Sequence, residues 1–214
     1  MPSPWEKLWA EVNRGTTRRF KRAERRTTRS PTTQTRRSVI GIWRSAGAPD
    51  TPEIATEMRD KVTEARKRNK RIIWIEKMVT KREAIQLYSN ARVFCCPSVY
   101  EPFGIINLEA MACHAPVVAS ATGGIKEVVV ENETGYLIPF EQDTATGFAT
   151  RPDKFARDLA ARLRQLLADP ARCKQFGKAG RKRVEETFSW RSIASQTVEL
   201  YRFLIDKSKE PSRS

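Results

Sequence analysis

Two carboxylates, Glu101 and Glu109, stand eight residues apart in the run PSVYEPFGIINLEAMAC, residues 97–113. Pro102 does not fit inside a helix but suits its start, so Glu101 belongs to a loop and Glu109 to the helix that follows. Of the ten residues in GIINLEAMAC only Asn107 and Glu109 are polar, so this helix is expected to be buried nearly all round. A lone charge there costs several kcal/mol unless strong hydrogen bonds replace hydration, so Glu109 is expected to have a partner. A pair of sugar hydroxyls, such as those of a ribose, would donate to both carboxylate oxygens, each bond contributing about 1.5–3 kcal/mol. An arginine from a neighbouring helix would serve as well, with Glu101 then simply facing water.

The amides of Phe103, Gly104 and Ile105 open the same helix, where free N–H groups and the positive end of the dipole favour a phosphate. From Gly104 to Glu109 a helix rises about 7.5 Å, close to the span from a diphosphate to a ribose. A second loop, Ser120-Ala121-Thr122-Gly123-Gly124, carries adjacent glycines that allow close backbone approach to a ligand, although glycine pairs also serve as ordinary turns.

Short apolar runs alternating with longer amphipathic stretches must position these groups. Strands are expected at 39–43, 72–75, 93–97, 116–120 and 136–138. Helices are expected from about residue 51 to 69, with Asp50 or Thr51 as cap, and at 81–89, 104–113 and 124–130. Three further helices with polar outer faces are expected at 152–168, 170–188 and 190–205. The fold class is α/β, a doubly wound, Rossmann-like parallel sheet covered on both faces, with ligands at the carboxyl ends of the strands. Residues 1–38 are read as a basic, disordered extension, 39–206 as the domain and 207–214 as a flexible tail.

Composition narrows the function. The chain carries a net charge of +15, and residues 1–38 hold eleven Lys or Arg against three acids, so +8 of it sits in that segment. The rest is only mildly basic, which suits a phosphate-bearing small substrate; nucleic acid is not the expected partner, although a basic arm for RNA is the competing reading. No apolar run approaches the roughly 20 residues of a membrane helix, and residues near the N-terminus form no apolar core of the kind signal peptides carry. A soluble, cytoplasmic protein is expected. The four cysteines, Cys95, Cys96, Cys113 and Cys173, lack zinc-site spacing and are read as reduced, buried thiols.

EPFGIINLEAMAC, followed by PVVASATGGIKEVV and ETGYLIP, resembles the C-terminal domain of retaining GT-B glycosyltransferases over about residues 39–205. GAPDTPEI, WIEKM and CPSVYEPFGIINLEAMA narrow the resemblance to bacterial glycogen or α-glucan synthases using ADP-glucose or UDP-glucose. The resemblance implies that Glu101 contacts the transferred sugar and stabilises positive charge at its anomeric carbon. It implies that the backbone at Phe103, Gly104 and Ile105 touches sugar and diphosphate and that Glu109 binds the ribose; the donor is expected to lie between this loop and the one with Gly123 and Gly124. It implies no metal and no cofactor beyond the donor substrate, with an α-glucan as acceptor.

The departures are also informative. A GT-B enzyme has a second, N-terminal Rossmann-like domain that carries the acceptor, and neither it nor the first βα unit of this domain is found here, so a truncated chain is expected. His114 and Lys126 stand where the family more often has a small residue or glycine, and proline. His114 is read as a helix-end residue rather than a catalyst. The alternative from another class is a non-catalytic or degenerate sugar-nucleotide-binding module whose basic arm does the work.

Overall fold

A computed structural model describes residues 42–43, 51–68, 72–143, 145 and 149–208. The expected extension at 1–38 lies outside the described residues, as do residues 209–214. The described residues form five strands: β1 Ile42–Trp43, β2 Ile73–Trp74, β3 Phe94–Cys96, β4 Val117–Ser120 and β5 Gly135–Ile138. Seven helices accompany them among the described residues: α1 Pro52–Arg68, α2 Lys81–Asn90, α3 Ile105–Ala112, α4 Ile125–Val128, α5 Pro152–Ala168, α6 Pro170–Thr187 and α7 Trp190–Ser208.

Each strand is followed by a helix, and every pairing between these strands is parallel, as the alternating pattern predicts. The ladders divide into two sheets instead of one: β1 with β2, and β3-β4-β5 with β4 at the centre. β2 offers only two ladder residues and its Ile73 is exposed, so extending the second sheet across it would cover little apolar surface.

The three-stranded sheet organises the core. All four residues of β4 are buried, and their side chains alternate between two apolar clusters. Val117 and Ala119 join Tyr88 of α2, Ala110 and Met111 of α3, and Ile125 and Val128 of α4. Val118 joins Tyr136 and Ile138 of β5 and Leu159, Leu166 and Phe176 of α5 and α6. The sheet is therefore wrapped on both faces, and its strand ends point into the loops that open α3 and α4.

Local signals fix the helix ends. Thr51 Oγ1 accepts from the Ile54 amide at 3.3 Å, as a cap of α1 would, while Asp50 lies outside the described residues. Thr80 and Glu83 form a capping box at α2: the Glu83 amide donates to Thr80 Oγ1 at 3.3 Å and the Thr80 amide to Glu83 Oε2 at 2.7 Å. Asp169 accepts from the Arg172 amide at 2.9 Å and Pro170 follows it, so α6 starts where the residue types dictate.

The polar outer face expected of the last helix is not what forms. α7 exposes Trp190 at 90% and Tyr201, Phe203, Leu204 and Ile205 at half or more of their surface. Its apolar residues extend around most of the circumference, and its main packing is against α6. α7 also runs to Ser208, past the expected start of the tail.

All four cysteines are free; Cys96 and Cys173 are buried, Cys95 and Cys113 half-buried. Part of Cys95 reaches solvent, but the residue also packs against the second cluster. Burial pushes its thiol up to about 12, and the neighbouring Cys96 adds to the shift. Iodoacetamide at about pH 8 should leave Cys95 unmodified in the folded chain and alkylate it in urea. Native-state labelling of Cys95 at the rate of a free thiol would contradict a closed sheet interior.

Candidate functional site

The carboxyl ends of β3 and β4 carry the two loops singled out by sequence, and hydrogen bonds from the backbone and from two side-chain hydroxyls join them. The Gly124 amide donates to the Glu101 carbonyl at 3.0 Å. Ser120 Oγ donates to the Ser98 carbonyl, and Thr122 Oγ1 to the Val99 carbonyl at 3.4 Å. Neither glycine has room for a side chain: a Cβ on Gly123 would lie 2.0 Å from the Glu101 carbonyl oxygen, and one on Gly124 would lie 2.5 Å from Phe103 Cα. Gly123 also adopts a left-handed φ of 45°. The close approach that the glycine pair permits is thus to the Glu101–Phe103 backbone itself.

Glu101 is half-buried, and its Oε1 accepts from the Gly104 amide at 3.1 Å. Gly104 is the N-cap of α3, buried, with a left-handed φ of 98° and no side-chain cap of its own. Of the three amides expected to be free for an anion, that of Gly104 is therefore taken by the Glu101 carboxylate, which sits at the positive end of the helix. The amides of Phe103 and Ile105 have no acceptor among the described residues.

Glu109 departs from its expected burial: its side chain is exposed. The reason lies in the cover of α3. Asn107, Ala110 and Met111 turn inward, whereas Ile105, 60% exposed, and Glu109 stand four residues apart on an uncovered line of the helix. The polar residue that α3 does bury is Asn107, whose Nδ2 reaches Cys96 Sγ at 3.7 Å and whose Oδ1 has no partner among the described residues. Phe103 is 41% exposed beside the same face. Glu109 has no cation partner among the described residues; the Tyr88 hydroxyl donates to its Oε2 at 3.1 Å.

Glu101, Phe103, Gly104, Ile105, Gly123 and Gly124 are thus brought together at the opening turn of α3, with Glu109 one turn along its open face. The arrangement presents two carboxylates and two unclaimed amides, able to accept from hydroxyls and to donate to an anion.

Several positioning residues escape a reading by motif. Arg181 donates to the Ala112 carbonyl, and Arg183 donates to the Val128 and Glu127 carbonyls at 3.0 and 2.8 Å, so two side chains of α6 cap the C-termini of α3 and α4. Phe188 meets Phe103 edge to face with ring centroids 6.1 Å apart. The basic run RKR at 181–183 looks like a solvated surface, and only the i,i+2 pair of arginines facing two helix ends could have hinted otherwise. His114 ends α3 with a φ of 60°, consistent with a helix-end role.

Gly123→Ala should strain the backbone and drive the two loops apart, lowering stability by on the order of 2–4 kcal/mol. Urea denaturation measures this, and an unchanged midpoint would rule out the loop clamp as drawn.

Residues 55–183 match the family described as Glycosyl transferases group 1. The chain is 46% identical over 166 residues to alpha-maltose-1-phosphate synthase of Mycobacterium tuberculosis, covering 78% of this chain and 41% of that one. It is 34% identical over 119 residues to the glycogen synthase of the same organism, covering 56% of this chain and 26% of that one. Among solved structures, sucrose-phosphate synthase from Thermosynechococcus elongatus superposes with a TM-score of 0.60 at 36% identity, covering 78% of this chain and 38% of that one. The chain thus spans about two fifths of the length of the first of these relatives, 41%. It belongs to the group 1 glycosyltransferases, with the α/β, parallel-sheet architecture of GT-B enzymes.

Proposed function

We propose that the chain binds a nucleoside-diphosphate glucose, ADP-glucose or UDP-glucose, at the opening turn of α3, and that the enzyme it serves transfers the glucose to an α-glucan with retained anomeric configuration. The observation that carries this reading is the line formed by the unclaimed amides of Phe103 and Ile105 and the exposed Glu109 carboxylate. A donor laid along it would set its diphosphate against the positive end of the helix and its ribose hydroxyls against Glu109. The likeness to enzymes named maltose-1-phosphate synthase and glycogen synthase supports a glucosyl donor.

The exposure of Glu109 changes the energetic argument and leaves the chemistry intact. A carboxylate in water is not pressed to find a partner, so the site relies on pre-positioning and on cover supplied around the donor. Glu101 has the opposite character. Anchored by the Gly104 amide beside the start of α3, it offers fixed negative charge that would stabilise an anomeric carbon gaining positive charge as its bond to the diphosphate breaks. The same helix end would stabilise the departing diphosphate, which needs positive potential and not a proton.

Isothermal titration of the 214-residue chain with ADP-glucose and UDP-glucose tests the reading. Micromolar to low-millimolar binding is expected for one of them, weakened at least about tenfold by Glu109→Ala, the loss expected from two charge-assisted hydrogen bonds. Absence of sugar-nucleotide binding, together with salt-sensitive RNA binding that disappears on deleting residues 1–38, would replace this reading with that of a basic interaction module.

A further inference from the structure

Tyr88 is a buried residue of α2 whose hydroxyl emerges at the candidate site. It is 4% exposed, its ring meets Phe94 of β3 edge to face at 5.4 Å, and it belongs to the apolar cluster that includes Cys96, Ala110 and Met111. Its helix is pinned at the start by the Thr80–Glu83 capping box. The ring therefore has little freedom, and neither has the hydroxyl at its end. That hydroxyl donates to Glu109 Oε2 at 3.1 Å across 21 residues of sequence.

Glu109 is the reverse case: an exposed side chain with several rotatable bonds, which would have to be ordered when a ligand binds. A rigid donor on one oxygen selects a rotamer in advance. Each carboxylate oxygen has two acceptor sites, so the bond to Tyr88 occupies one and leaves acceptor capacity on both oxygens. This suits a pair of neighbouring hydroxyls.

We propose that Tyr88 is a positioning residue that holds the Glu109 carboxylate ready for the vicinal hydroxyls of the nucleoside ribose. The inference rests on the donor-site reading above and deepens it. A purely structural bond, one that satisfies the phenol of a core tyrosine, would affect stability and leave ribose recognition alone.

The measurement is a set of dissociation constants for UDP and ADP and for their 2′,3′-dideoxy counterparts, on the wild-type chain, Tyr88→Phe, Glu109→Ala and the double variant. Phenylalanine keeps the ring and its contact with Phe94. Tyr88→Phe is expected to weaken the ribonucleotide about five- to tenfold, to leave the dideoxy nucleotide unchanged, and to add nothing to Glu109→Ala. Equal weakening of both nucleotides, or none of either, overturns the role of Tyr88 while Glu109→Ala still erases ribose discrimination and keeps the donor site. If Glu109→Ala leaves that discrimination untouched, or the wild-type chain binds neither nucleotide, the donor site falls and the inference falls with it.

Discussion

The backbone of Glu101–Phe103 rests directly on the backbone of Gly123 and Gly124, with less than a side chain's width between them. Everything proposed for the site depends on that contact. It sets the end of β3 against the end of β4, and it leaves the opening turn of α3 at the end of the sheet. It also explains why Glu101 can bend back to the Gly104 amide: the chain turns through a left-handed glycine exactly once there, and the loop cannot relax outward without breaking the tie from Gly124. Hydrogen bonds from Ser120 and Thr122 reinforce the contact but could not create it.

Around this clamp the fold works as a set of supports from three directions. β4, buried along its whole length, anchors the clamp from below. α6 holds α3 and α4 by their C-terminal carbonyls through Arg181 and Arg183, and its Gly177 lies against the His114 carbonyl where a Cβ would come within 2.3 Å. α2 supports α3 through Tyr88. The helix that carries the site is thus fixed at its start by backbone contact, at its end by Arg181 and along its side by a phenol, while its remaining face stays open.

Much of this was legible in the residues. The apolar runs at 93–97 and 116–120 are too short for helices and too apolar for an exposed strand, and they form β3 and β4. Pro52, Pro152 and Pro170 open helices because the missing N–H does no harm there, and Pro102 stands in the loop three residues before α3. The two-glycine loop and Glu101 fall at the strand ends, with Glu109 in the helix that follows, as the parallel-sheet reading requires. What escaped was the direction in which faces point. A helix that is apolar nearly all round reads as buried, yet Ile105 and Glu109 share an uncovered line, and α7 keeps its aromatic residues in solvent. Periodicity reports which residues could be covered, and only the arrangement of neighbours decides which are. The roles of Tyr88, Arg181 and Arg183 were hidden for the related reason that each is defined by a partner from 21 to 69 residues away in sequence.

The helix α7 exposes a series of large apolar residues, among them Trp190, Tyr201, Phe203 and Leu204. Hydrocarbon and aromatic area in water lowers the osmotic second virial coefficient of a solution, because molecules gain by shielding such surface from solvent wherever they collide. The high positive charge of the chain pushes the other way, and that repulsion fades as electrolyte is added. Colloidal behaviour is consequently a contest between one helix and the net charge, with ionic strength as the variable that shifts the balance towards association.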